Sequence, residues 1–131
     1  MAAVKKILIV DDEPQLALAV KIRLQSRGYE VTTVPDGQQA LEAVNRSTPD
    51  LVLLDVLMPV MDGYSFLREL NAVTGRGAIP VIMLTSRDRM KDLFELEGIE
   101  DYIIKPFDHE DLLVRIERTL KRRERDLPKV S

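Results

Sequence analysis

Four short apolar runs constrain this chain most, because each stops at a polar residue fit for chemistry. Ile7-Leu8-Ile9-Val10 stops at Asp11-Asp12, and Leu51-Val52-Leu53-Leu54 stops at Asp55. Val81-Ile82-Met83-Leu84 stops at Thr85-Ser86, and Tyr102-Ile103-Ile104 stops at Lys105-Pro106. Unbroken runs of this length suit strands buried on both faces, as in a parallel sheet covered by helices. If the four are parallel neighbours, their C-terminal ends share one edge. Three carboxylates, a hydroxyl and an ammonium then meet in one pocket. Such a set suits a divalent cation and a phosphoryl group.

The segments between the runs read as helices. Pro14, behind Asp11-Asp12-Glu13, opens a helix to about Arg27, and Gly28 ends it. Its predicted buried stripe is Leu16, Val20 and Leu24. The β-branched run Val31 to Val34 reads as a strand, and Pro35-Asp36-Gly37 as a turn. A helix from Gln38 to Asn45 turns Ala40, Leu41 and Val44 inward. Another, from about Tyr64 to Ala72, is buried through Phe66, Leu67 and Leu70. A strand from Ile79 to Leu84 precedes a short helix from Arg89 to Glu97, ended by Gly98. A fifth strand spans Asp101 to Ile104. Asp108 caps the last helix, which buries Leu112, Leu113, Ile116 and Leu120. The charged run Lys121 to Asp126 reads as a solvated helix end, stopped by Pro128. Five strands alternating with five helices predict a doubly wound α/β sheet with helices on both faces.

A chain of 131 residues suits a single domain, with a core over about 4–122 and a charged tail over 123–131. There is no cysteine, which excludes a disulfide framework and a thiolate metal site. The net charge of −3 argues against a grip on a nucleic-acid backbone. No apolar run approaches the roughly 18 residues of a membrane span. The N-terminus leads straight into the first strand, with no room for a signal peptide. The expected location is the cytoplasm.

Taken together, Asp11-Asp12, Asp55 followed by Met58-Pro59 and Asp62-Gly63, Thr85-Ser86, and Tyr102 with Lys105-Pro106-Phe107 resemble the response-regulator receiver domain. This is the chemotaxis-regulator-like phosphoacceptor of two-component signalling. The resemblance covers residues 4 to about 122. It implies a flavodoxin-like five-stranded parallel sheet of order 2-1-3-4-5, with a switch point between the first and third strands. It implies Mg²⁺ held directly by Asp12, Asp55 and the backbone carbonyl of Leu57, and by Asp11 through a water. It makes Asp55 the phosphoacceptor, with Lys105 and Thr85 contacting the phosphoryl group. Thr85 and Tyr102 would form the switch, and the Lys105–Pro106 bond would be cis. The implied partners are a histidine kinase or phosphotransfer protein upstream. Downstream, a protein or a second copy would meet the fourth helix, fifth strand and fifth helix. Neither nucleic acid nor membrane is an expected direct partner, and the only catalysis expected is of the chain's own phosphorylation and dephosphorylation. Two departures fall near that face: the stretch from Thr85 to Lys105 is slightly short, and Ile99 follows Gly98 where a small residue is usual.

Plainer readings exist for each residue. Asp11-Asp12-Glu13 also suits a helix N-terminus, and Thr85 a helix cap. Lys105 alone reads as a solvated lysine, and Tyr102 as core. His109, the one histidine, receives no role. Two other functions use similar parts. A Mg²⁺-dependent aspartyl-phosphate phosphohydrolase would need a second Asp two residues after the nucleophile, where Leu57 stands. A non-phosphorylated binding module of the same fold, such as a flavin binder, would need a glycine- and hydroxyl-rich loop where Asp11-Asp12-Glu13 stands.

Overall fold

The computed structural model of the chain describes residues 4–55, 63–75, 77–86 and 98–126. Among them run β1 (Lys6–Val10), α1 (Pro14–Ser26), β2 (Glu30–Val34), α2 (Gly37–Arg46) and β3 (Leu51–Asp55). α3 (Gly63–Thr74), β4 (Val81–Thr85), β5 (Ile99–Ile104) and a C-terminal helix (His109–Asp126) follow. All strand pairs are parallel, in the order β2-β1-β3-β4-β5. This is the doubly wound sheet that the sequence predicts, in the flavodoxin-like order that the resemblance implies. The predicted helix over 89–97, the loop carrying Leu57, Met58-Pro59 and Asp62, and Pro128 lie outside the described residues.

The unbroken apolar runs are explained by two-sided burial. Every residue of β3 and β4 is buried. Ile7, Ile9, Leu51, Leu53, Ile82 and Leu84 pack with α1 and the C-terminal helix. Their alternates Leu8, Val10, Val52, Leu54, Val81 and Met83 pack with α2 and α3 on the other face. A strand with a core on both sides has no polar face to display. Phe66 of α3, fully enclosed, anchors the second core. Its truncation to alanine would cost about 3–5 kcal/mol.

Local signals set the helix ends. The Asp36 carboxylate accepts a 2.8 Å hydrogen bond from the Gln39 amide and caps α2, while Asp108 accepts from the Glu110 amide at 2.9 Å. Gly28, at φ +92°, closes α1 with its amide donating to the Gln25 carbonyl. Gly98, at φ +88°, leads into β5 beside Asn71, whose side chain a Cβ there would meet at 2.8 Å. The end of the Asn71 side chain can give way, so it is the left-handed backbone that favours glycine here.

Four expectations need correction. β4 runs Val81–Thr85 rather than from Ile79 to Leu84. In α1 the buried stripe is Ala17, Val20 and Leu24, and Leu16 only packs at its margin. β5 begins at Ile99 rather than Asp101, because Ile99 already pairs with Val81. The charged end of the C-terminal helix is not wholly solvated. Arg123 donates to the Gly77 carbonyl at 2.8 Å and pairs with Glu100 at 3.2 Å, tying the helix to the entrance of β4 and the start of β5. No described helix is long and apolar enough to cross a membrane.

Candidate functional site

The chain leaves β1 toward one edge of the sheet and β3 toward the other. A crevice opens where those paths diverge, beyond the C-terminal strand ends. Asp11 follows β1, and its amide donates to the Val34 carbonyl at 3.1 Å, holding it beside the end of β2. Asp55 ends β3 opposite Leu84, and Thr85 ends β4 opposite Ile104. Lys105 follows β5, and its amide donates to the Thr85 carbonyl at 2.7 Å. Strand register alone therefore brings four chemically active residues to one place. The Lys105–Pro106 bond is cis, as expected.

These polar groups are enclosed to an unusual degree. Asp11, Asp55 and Thr85 are 4%, 6% and 2% exposed, values otherwise found among the core aliphatics. Buried carboxylates call for a partner. Lys105 Nζ lies 3.2 Å from Asp55 Oδ2, 3.6 Å from Glu13 Oε1 and 3.9 Å from Asp11 Oδ2. The last distance is an ion pair but not a hydrogen bond. Asp11 Oδ1 accepts from the Glu13 amide at 2.9 Å, while Oδ2 is buried without a donor among the described residues.

Electrostatics follow from that geometry. Burial pushes the Asp11 carboxyl up to about 6, with the Asp55 charge adding to the rise. The Glu13 amide and Lys105 oppose it without cancelling it. Burial pulls the Lys105 ammonium down, but Asp55, then Asp11, and last Glu13 outweigh it and leave the group above its ordinary value. Among the described residues one cation serves three anions, so these groups together carry an excess of negative charge.

Asp11, Asp12 and Asp55 each bring a carboxylate oxygen within 4.8 Å of the others. Asp12 is exposed and reaches the cluster from the solvent side. This all-oxygen donor set fits a hard cation such as Mg²⁺. The orphaned Asp11 Oδ2 is the kind of atom that a metal or its bound water satisfies. Asp12 and Lys21 also line a cleft of about 310 Å³ beside the cluster. Leu57, expected to lend its carbonyl, lies outside the described residues.

Thr85 Oγ1 donates to the Ser86 carbonyl at 3.2 Å. Tyr102 stands on β5 opposite Met83, one pair below Leu84 and Ile103. The residue is 38% exposed. Glu13 is the member that the expected ligand set omits. Its signal was present as the third acidic residue after β1, but a link to Lys105 requires the fold.

A family model described as "Response regulator receiver domain" matches residues 7–117. The chain is 41% identical over 122 residues to the DNA-binding response regulator MtrA of Mycolicibacterium smegmatis, covering 92% of this chain and 52% of that protein. It thus spans about half the length of the curated relatives it matches. A CheY-like response regulator receiver domain protein from Methanospirillum hungatei superposes with a TM-score of 0.85 at 29% identity, over 95% of this chain and all of that one. The receiver domain of a sensor histidine kinase from Pseudomonas aeruginosa gives 0.78 at 34% identity, over 91% and 99% of the two chains. That structure holds a magnesium ion in its active-site cleft.

Proposed function

The chain belongs to the response regulator receiver domain family, and on that premise we propose that Asp55 accepts a phosphoryl group and that its charging switches a partner-binding surface. The observation that carries the reading is the Asp55–Lys105 pair. A carboxylate 6% exposed at the end of the central strand faces an ammonium at 3.2 Å, in a site where anions outnumber cations.

Each residue's work follows from its place. The Asp55 carboxylate attacks phosphorus of a phosphodonor, a phosphohistidine of a kinase or phosphotransfer protein, and the imidazole leaves. Lys105 exchanges its contact with Asp55 for the phosphoryl oxygens and offsets their charge. Thr85 turns its hydroxyl from the Ser86 carbonyl to a phosphoryl oxygen. Asp12, Asp55 and the Leu57 carbonyl would hold Mg²⁺, with Asp11 acting through a bound water. When bound, the ion neutralises negative charge on the transferring group.

Output follows from the strand geometry. Thr85 and Tyr102 lie near the ends of neighbouring strands, so movement of Thr85 opens space that the half-exposed ring can fill. The changed face comprises the segment before Gly98, β5 and the C-terminal helix. The two arrangements coexist, and the aspartyl phosphate binds one of them better. The net charge of −3 favours a protein or a second copy of the chain over nucleic acid as the direct partner. DNA binding belongs to the name of the relative MtrA, of which this chain matches about half.

The test uses a small acyl phosphate. With Mg²⁺ the wild type should gain one phosphoryl mass, and Asp55→Asn none. Acid-stable, stoichiometric labelling of Asp55→Asn would assign the chemistry elsewhere.

A further inference from the structure

Glu13 is distinctive because it holds the site with both ends of the residue. Its amide donates to Asp11 Oδ1 at 2.9 Å, and its carboxylate lies 3.6 Å from Lys105 Nζ. Asp11 and Asp55, the other carboxylates around that ammonium, are enclosed, whereas the Glu13 side chain is 61% exposed. Lys105 therefore sits between two buried anions and one at the mouth of the site. Resting on Asp55 as phosphoacceptor, we propose that Glu13 is a positioning residue for Lys105. It holds the ammonium at the mouth, competes with Asp55 for it before phosphorylation, and gives it up when Asp55 is charged.

The consequence is opposed pulls on one lysine. A phosphoryl group on Asp55 adds negative charge and acceptor oxygens at the inner end, so the ammonium moves inward and its Glu13 contact breaks. Glu13 thus sets the balance against the charged state. Neutralising it releases Lys105 to the phosphoryl group and favours that state. Because one partner is largely exposed, the effect is small, about two- to fivefold in affinity for a phosphoryl mimic.

Beryllofluoride, titrated into the 131-residue chain at saturating Mg²⁺ and followed by fluorine NMR, measures this directly. Glu13→Gln should bind it about two- to fivefold more tightly than wild type. Glu13→Asp should behave like Glu13→Gln, because its shorter stem no longer reaches Lys105. Plain repulsion between an acidic residue and the mimic predicts otherwise: Glu13→Asp would match wild type. The double-mutant cycle makes the same distinction. In a Lys105→Met background the gain from Glu13→Gln should vanish; a gain kept or enlarged would show that Glu13 acts on the anion and not through the lysine. A metal-free reading stands beside these. Glu13→Gln should shift the Lys105 ε-carbon resonance, and an unmoved resonance would sever the link. Failure of wild type to bind beryllofluoride would overturn the reading of Asp55 itself. Equal binding by wild type and Glu13→Gln would overturn the role of Glu13 alone.

Discussion

Asp11, Asp55 and Glu13 share the ammonium of Lys105, whereas along the seam between β5 and the C-terminal helix the charges balance. There Arg115 meets Asp101 at 3.0 Å and Asp111 at 3.2 Å, and Arg123 and Arg122 meet Glu100 at 3.2 and 4.0 Å. Three guanidinium groups face three carboxylates. Among the described residues the first cluster has anions in excess, two of them buried, and the second has matched, wetter partners. A matched, half-exposed cluster restrains two elements. A buried, mismatched one is destabilised by its own charge and can be relieved by a ligand. The imbalance, more than the presence of charge, distinguishes the chemical site from the structural seam.

The largest expected effect breaks the comparison on the side of the site. The Asp11 carboxyl is pushed up from 3.8 to about 6 by burial, so the fold disfavours its ionised form. The folded state then holds a proton that the unfolded state releases at lower pH. The stability that this proton lends is full below the unfolded value of 3.8 and is lost as pH rises through about 6. The full swing is about 3 kcal/mol, at about 1.4 kcal/mol per pH unit. In metal-free protein, urea unfolding of wild type and Asp11→Asn between pH 4 and 8 should show wild type losing ground to the variant as pH rises. Parallel pH profiles would mean that the carboxyl is not destabilised by its burial.

Metal affinity sharpens the same contrast. Asp12→Ala removes a charged ligand and should weaken Mg²⁺ binding by more than about tenfold, since such contacts exceed ~1.4 kcal/mol. Asp11→Ala should weaken it less, because its role runs through a water. Lys105→Ala should leave it near the wild-type value, because the lysine serves the phosphoryl group. Calorimetric titration of the three variants checks the order. Metal binding abolished by Lys105→Ala and retained by Asp12→Ala would exchange the assigned roles.

The two clusters also differ in how far the sequence reveals them. Asp11, Asp55, Thr85 and Lys105 each follow an apolar run, and a central strand must be apolar throughout because both its faces are covered. Strand and site are therefore written in the same residues, and both are legible. The seam is not. β5 is an edge strand with one enclosed residue, Ile103, so its start at Ile99 hides in a mixed run. Arg115 and Arg123 sit in a densely charged helix, and nothing local separates a guanidinium that finds a carbonyl from one that finds water. Glu13 fails for the same reason, since its link to Lys105 spans 92 positions. Ala17 rather than Leu16 faces the core, and because both fit a helical period with Val20 and Leu24 the pattern alone does not choose between them.

The smallest effect lies on the seam. Arg115 donates to both Asp101 oxygens and to the Tyr102 carbonyl, so by count of contacts it is better held than Lys105. Its side chain is nevertheless 34% exposed, and water competes for every one of those bonds. Arg115→Met keeps the aliphatic stem and removes the charge. It should lower unfolding free energy by about 1 kcal/mol or less, and by less still in high salt, where screening already weakens the pairs. Incorporation of phosphate from a small donor should be unchanged, because no seam group approaches Asp55. A loss beyond about 2 kcal/mol that persists in molar salt would show that the seam holds its charges as a buried network, and the distinction from the Asp55 corner would then rest on charge balance alone.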